Sequence, residues 1–314
     1  MTRLFLSLGL LTAVTAIAQA QAPVEVRAHT ALVHHIAFSP DGKFFATAGF
    51  DKTAKIFEYN NGQPKELKPI AGHTDPVYCV AFSPDGKQLA TASLDKTVKL
   101  WNIADAKMVI EFKGHTDIVD TIAFSPDGKT LASGSGTQDK SVRLWNVADA
   151  KEIKNLGAHA GSVYSVLFSP DGKTLFSSGA DNLIKVWDVP GLKLVKDLKG
   201  HEIGVTGITL AGDPNTLVSI SQDRTIRVWD VAGGKETKKF GPTTDDLYGI
   251  AWSKDTKTIV TAGYAGNLNV WDLTNSKPVF TTRIKNPTYC VAFAPDGKTI
   301  LAGHENGTVT ITKR

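Results

Sequence analysis

Five tryptophans, Trp101, Trp145, Trp187, Trp229 and Trp271, follow one another at intervals of 44, 42, 42 and 42 residues. Each closes an alternating apolar run, as in Val98-Lys99-Leu100-Trp101 and Ile226-Arg227-Val228-Trp229, and each is followed by Asn or Asp. An interval of about 40–45 residues sustained along a chain marks an array of units that cannot fold alone. At 314 residues the chain is long enough for one closed β architecture. The period therefore decides the architecture and shifts the expected function from catalysis towards binding.

One period reads as four short strands: Val77 to Phe82, Gln88 to Ser93, Thr97 to Trp101 and Met108 to Phe112. Turn residues separate them, so the unit is an antiparallel meander. Between the first two strands lies Ser83-Pro84-Asp85-Gly86. There Pro presets φ, Asp caps the turn and Gly takes the left-handed conformation. The turn recurs at Ser39-Pro40-Asp41-Gly42, Ser125-Pro126-Asp127-Gly128, Ser169-Pro170-Asp171-Gly172 and Ala294-Pro295-Asp296-Gly297. Gly212-Asp213-Pro214-Asn215 and Lys254-Asp255-Thr256-Lys257 replace it in the fifth and sixth units. First strands close at Phe38, Phe82, Phe124, Phe168, Leu210, Trp252 and Phe293, which makes seven units.

The first twenty residues differ in character. Arg3 precedes an apolar stretch from Leu4 to Ile17, and Ala18-Gln19-Ala20 has the small-x-small pattern of a cleavage site. Residues 1–20 are expected to be a signal peptide cut after Ala20. The stretch is shorter than the ~20 residues of a transmembrane helix, and no Cys near the site supports a lipid anchor. Residues 21–314 are thus expected to form one domain of seven repeats in the periplasm or outside the cell, a monomer with no membrane insertion after cleavage. The net charge of +4 is spread over 35 basic and 31 acidic residues. No basic cluster interleaved with aromatics suggests nucleic acid, and the charges read as solvated surface. Cys79 and Cys290 stand at the same position in units separated by one other, so they are expected to be buried and unpaired.

These features resemble the WD40 repeat family, whose units carry Gly-His near one end and Trp-Asp at the other. The resemblance covers essentially everything after the leader. It implies an all-β, seven-bladed propeller of four-stranded antiparallel blades around a central channel. The last unit ends after its third strand, and Pro23 to His29 matches the missing fourth. The N-terminal strand is expected to complete the last blade and leave no open edge.

The family also implies a buried hydrogen-bond network of His, Ser/Thr, Asp and Trp. Here the matching sets are His73, Thr91, Asp95 and Trp101; His115, Ser133, Asp139 and Trp145; His159, Ser177, Asp181 and Trp187; and His201, Ser219, Asp223 and Trp229. The first blade has His29, Thr47 and Asp51 with Phe57 in the Trp position. The sixth retains Thr261 and Trp271, with Thr243 and Ala265 at the His and Asp positions, and the seventh has Ile284, Ala302, Asn306 and Thr312. Those two blades are expected to be the softer part of the ring. Repeated in consecutive blades with a Trp donor, the sets are structural and not catalytic triads. Neighbouring strand residues face opposite ways, so His34 and His35 are not expected to share a metal. No Cys-x-x-Cys, His-x-x-x-His or Gly-rich phosphate loop occurs, and no metal or cofactor is expected.

In the family, partners bind the narrower face around the channel mouth, at three positions per blade. Five residues after the repeat His stand His34, Tyr78, Asp120, Tyr164, Thr206, Tyr248 and Tyr289. Before the tight-turn Asp stand Phe50, Leu94, Gln138, Ala180, Gln222, Tyr264 and Glu305, and three after the His stand Leu32, Pro76, Ile118, Ser162, Gly204, Asp246 and Pro287. Five of the six tyrosines fall on these positions. Tyrosine gives large contact area at low entropic cost. The chain is expected to be a non-catalytic scaffold for a protein or peptide. Carbohydrate or cell-wall binding is the alternative, and a channel-mouth hydrolase using Asp120, Asp246, Glu305 or His34 a more distant one.

Overall fold

The computed structural model describes residues 23–60, 62–254, 256–275 and 277–314. The expected leader at residues 1–20 and its cleavage site lie outside the described residues. Seven antiparallel sheets follow one another along the chain. The first strand of each contacts the first strands of its two neighbours, and the seventh (Thr288–Phe293) contacts the first (Val33–Phe38), which closes the ring. Strand order within a blade is sequential from the channel outwards, as in Val163–Phe168, Thr174–Gly179, Leu183–Asp188 and Lys193–Lys199 of blade 4. Blade 1 departs from this, because its outer strand is broken into Gln63–Glu66 and Ile70–Ala71, both paired with Thr53–Asn60.

Closure follows the expected route. Val24–Arg27 pairs antiparallel with Thr308–Lys313, with Val24 opposite Ile311 and Arg27 opposite Thr308. The amides of Ala28 and His29 continue the contact by donating to the Gly307 carbonyl. The first and last described strands thus share one sheet, and the outer edge of Thr308–Lys313 is covered.

The core lies between blades. Ala46, Ala48 and Ile56 of blade 1 meet Val77, Val80, Leu89 and Trp101 of blade 2 in one cluster, and the pattern repeats around the ring. Each Trp packs against the preceding blade, so no blade buries its apolar face by itself. In blade 1 Phe57 takes the Trp position and stacks on Phe45 with ring centroids 4.8 Å apart. The Ser-Pro-Asp-Gly turns are locked locally. The Ser83 hydroxyl donates to Asp85 at 2.6 Å, the Lys87 amide donates to the same carboxylate, and Gly86 sits at φ +69°.

One irregularity recurs in all seven blades. The register of the first strand against the second breaks between Val33 and His35, Val77 and Cys79, Val119 and Thr121, Val163 and Ser165, Val205 and Gly207, Leu247 and Gly249, and Thr288 and Cys290. Each break leaves one extra residue on the inner strand: His34, Tyr78, Asp120, Tyr164, Thr206, Tyr248 or Tyr289. Such a bulge re-aims a side chain and interrupts strict alternation.

Candidate binding face at the channel mouth

The framework that carries this face is polar at its centre. In blade 2 the Trp101 Nε1–H donates to Thr91 Oγ1 at 2.8 Å, Thr91 meets His73 Nε2 at 2.7 Å, and His73 Nδ1 meets Asp95 at 2.7 Å. Because the carboxylate only accepts, Nδ1 carries the proton and Nε2 accepts from the hydroxyl. Blades 3, 4 and 5 repeat the chain through Trp145, Ser133, His115 and Asp139; Trp187, Ser177, His159 and Asp181; and Trp229, Ser219, His201 and Asp223. Blade 1 forms the His29–Thr47 and His29–Asp51 contacts. Burial by itself raises the pKa of these aspartates. Hydrogen bonds from the His, from Thr or Ser hydroxyls such as Thr97 and Ser141, and from backbone amides outweigh it and hold Asp51, Asp95 and Asp139 far below the usual range. Asp223 is held at about 2 in the same way.

Blades 6 and 7 fill the same space from other sequence positions. In blade 6 Trp271 still donates to Thr261 at 3.0 Å. The Asp245 carboxylate lies against Gly263, as the His29 ring lies against Gly49 in blade 1, and it accepts from the Ala265 amide at 2.7 Å. In blade 7 the buried His304, last residue of the second strand, reaches Thr310 Oγ1 at 2.8 Å and Thr288 Oγ1 at 3.0 Å. Burial pushes its pKa down to about 4. The Ile284–Ala302–Thr312 reading of this blade therefore missed the group that replaces the repeat histidine.

The charges are not all solvated, as the sequence suggested. Lys99, Lys185 and Arg227 are buried in the third strands and pair with Glu111, Asp197 and Glu236 on the fourth. Lys55–Glu66 and Arg143–Glu152 occupy the same place. In blade 6 a neutral Thr281–Asn269 hydrogen bond at 2.9 Å stands there.

On this framework the seven bulged residues encircle one end of a central cavity of about 660 Å³. His34, Tyr78, Asp120, Tyr164, Thr206, Tyr248 and Tyr289 all line it. Neighbours touch: the Tyr248 and Tyr289 rings are 5.5 Å apart, and His34 and Tyr78 are 4.6 Å apart. Phe50 joins the second pair, 4.8 Å from Tyr78 and 5.6 Å from His34. Leu94 and Tyr264, exposed by 40% and 54%, lie outside the cavity wall on the surrounding face. Ile118 is half-buried beside Gly136. Residues three after the repeat His act through their backbones: the Leu32, Pro76, Ile118, Ser162, Gly204, Asp246 and Pro287 carbonyls each accept an amide of the adjacent tight turn. In blade 3 that amide belongs to Gly136 and not to Gln138, because the two-residue insertion displaces Gln138, whose amide caps Asp117 at 2.8 Å.

The bulge corrects one further expectation. His34 and His35 both border the cavity, so alternation does not separate them. The His34 Nδ1–H donates to the Tyr78 carbonyl at 2.8 Å, and burial lowers its pKa although part of the ring stays accessible. His35 falls to about 4 through burial and the nearness of His34. Among the described residues no group of three His, Cys, Asp or Glu side chains is placed to hold a metal ion. Cys79 and Cys290 are free and buried. Burial pushes the Cys79 thiol up to about 12 and raises Cys290 as well, which removes thiolate reactivity.

Comparison with known proteins agrees with this geometry. The family profile described as WD domain, G-beta repeat matches residues 22–58, 64–102, 106–146, 150–188, 192–230, 234–272 and 277–312. No curated protein gives a match. With seven matched repeats across the described chain and seven blades in a closed ring, the protein belongs to the WD40, or G-beta repeat, family.

Proposed function

We propose that this propeller is a non-catalytic scaffold that holds a protein or peptide on the side chains around the channel mouth, and that it acts in the periplasm or outside the cell. WD40 propellers are typically protein-interaction scaffolds. The observation that carries the reading is the set of seven bulges, which turns His34, Asp120, Thr206 and four tyrosines towards a single opening. Aromatic side chains of this kind, already ordered by stacking on one another, lose little freedom on binding. Leu94 and Tyr264 extend the face outwards. The charged groups do not converge for hydrolysis: Asp246 is engaged by Arg224 Nε at 2.8 Å, and Asp120 has Asp117 as its closest charged influence. The compartment rests on the leader pattern in residues 1–20.

Affinity capture from an envelope extract tests the binding face. The protein is compared with a variant carrying Tyr78→Ala, Tyr164→Ala, Tyr248→Ala and Tyr289→Ala that melts cooperatively. A protein retained by the first and lost by the second is expected, and protease treatment of the extract should abolish it. Equal retention would move the site off the mouth, and protease-resistant retention would point to a glycan. Cell fractionation with N-terminal sequencing tests export, with Gln21 expected as the first residue.

A further inference from the structure

Asp120 differs from every other group in the channel wall. The residues lining the cavity include His34, His35 and six Tyr or Phe side chains, but Asp120 is the only Asp, Glu, Lys or Arg among them. Its carboxylate has no hydrogen bond or ion pair among the described residues, whereas the network aspartates each accept several. Blade 3 places it between Tyr78 on blade 2 and Tyr164 on blade 4, near enough that its charge acts on both phenols. A half-buried carboxylate without a partner bears part of the cost of withdrawing a charge from water, and one that borders an opening is relieved by a cation from outside. Ammonium and guanidinium groups form strong hydrogen bonds to carboxylates and are attracted to aromatic faces. A cavity of about 660 Å³ admits a side chain or a small ligand, not a folded element.

We propose that Asp120, flanked by Tyr78 and Tyr164, is the seat of an organic cation, namely the ammonium or guanidinium of a partner's lysine or arginine side chain entering the channel mouth. The choice of a partner's side chain over a free amine rests on the scaffold reading above. The seat itself rests on Asp120 and its surroundings alone. Burial, and secondarily Asp117, raises the Asp120 pKa to about 7, as expected for a carboxylate awaiting its counter-charge. The titratable groups around it are Asp117 on its own blade, His34 and His35 from blade 1, Tyr78 and Cys79 from blade 2, and Tyr164 from blade 4. Asp117 accepts the Ile118 and Gln138 amides. Burial lowers both histidines and raises both tyrosines and the thiol. Among the groups so shifted, Asp120 is the one that gains charge from pH 6 to pH 8.

The test titrates the purified protein with acetyl-Gly-Lys-Gly-amide, its arginine counterpart, its norleucine isostere and putrescine, read by ligand-observed NMR. The cationic peptides should bind and the norleucine peptide should not. Affinity should rise roughly tenfold from pH 6 to pH 8, following ionisation of a group near 7. Asp120→Asn, close in shape and checked by thermal melting, should weaken the cations at least about tenfold and flatten the pH profile. Tyr164→Phe keeps the aromatic face and should retain affinity, while Tyr164→Ala should lower it several-fold. Equal binding of the norleucine peptide, or unchanged binding by Asp120→Asn, would overturn the seat. Tighter binding of putrescine than of either peptide would overturn the partner side chain as its occupant. Capture of a protein that needs the mouth tyrosines but not Asp120 would leave the scaffold standing and remove only this inference.

Discussion

In blade 2 a hydrogen-bond chain runs unbroken from Trp101 through Thr91 and His73 to Asp95, and the Thr97 hydroxyl closes it at 2.6 Å. In blade 6 the corresponding chain stops at Trp271 and Thr261, and Asp245 enters the vacated space from two residues beyond the repeat-histidine position. In blade 7 the replacement comes from the second strand, as His304. The turn beside each network changes with it. Blades 1 to 5 hold Lys52, Lys96, Lys140, Asn182 and Arg224 at φ between 60° and 71°, whereas blades 6 and 7 have Gly266 and Gly307 at 78° and 85°. A left-handed lysine is strained by roughly 1–2 kcal/mol. In blades 1, 2, 4 and 5 the preceding Asp accepts the amide two residues on, as Asp95 does from Thr97, and in blade 3 Asp139 accepts the Ser141 hydroxyl, contacts that offset that strain. Where that Asp is absent, glycine removes the strain, in blade 7 beside an Asn306 that still accepts the Thr308 amide and hydroxyl. What the fold requires is a satisfied polar plug and a relaxed turn, and it does not require one particular set of residues.

That contrast can be probed from both sides. The largest effect is expected from His115→Ala, which strands Asp139 and Ser133 in a buried space and should cost about 3 kcal/mol in urea unfolding. Asp245→Ala in blade 6, where the carboxylate caps a single amide, should cost about 1–2 kcal/mol. Equal losses would erase the distinction between the two designs. The turns come next. A Cβ on Gly266 would lie 2.1 Å from the Ile284 carbonyl oxygen, so Gly266→Ala should lose about 2 kcal/mol or more. Lys96→Gly should stay within about 1 kcal/mol of the parent.

Acid unfolding separates the plugs by sign and by window. His304 and His35 have folded pKa values near 4, below the unfolded 6.5 or so. The unfolded state therefore binds their protons first, and stability should fall from about pH 6.5 towards 4. The lowered aspartates of blades 1 to 5 contribute stability that is complete above about pH 4 and lost only as pH falls further, towards about 2 for Asp223. His304→Gln should make the fall through the upper window shallower, with the His35 share remaining, and leave the lower one unchanged, in unfolding followed against pH. The smallest expected effect is in the outer pairs. Asp197→Asn weakens the partner of the buried Lys185 and should cost about 1 kcal/mol, against a few tenths for Thr281→Ser at the neutral pair of blade 6.

Much of this was legible before any coordinates. The Trp interval and the Ser-Pro-Asp-Gly turns give seven four-stranded units, the resemblance to the WD40 family implies the ring, and the match between Pro23–His29 and the missing outer strand predicts its closure. Local chemistry with a fixed period dictates those features. Three things were not legible. Asp245 and His304 act from positions out of register with the histidines they replace, and a periodic reading discards such residues. The third-strand cations recur with the repeat, but their acidic partners lie 9 to 12 residues away on an outer strand whose sequence varies. The bulges depend on strand register, which sequence shows only indirectly. They are why His34 joins the mouth, and why Asp120, placed on that face by family position, meets no partner within the wall.

The most direct test of the binding face is site-specific photocrosslinking. A benzoylphenylalanine replaces Tyr164, 37% exposed at the mouth, or alternatively Lys129, exposed in the turn at the opposite end of blade 3. Irradiation in intact cells should yield a discrete, protease-sensitive adduct from position 164 and none from 129. An adduct from position 129 with none from 164 would contradict the account, because the partner would then be held on the face that the seven bulges do not serve.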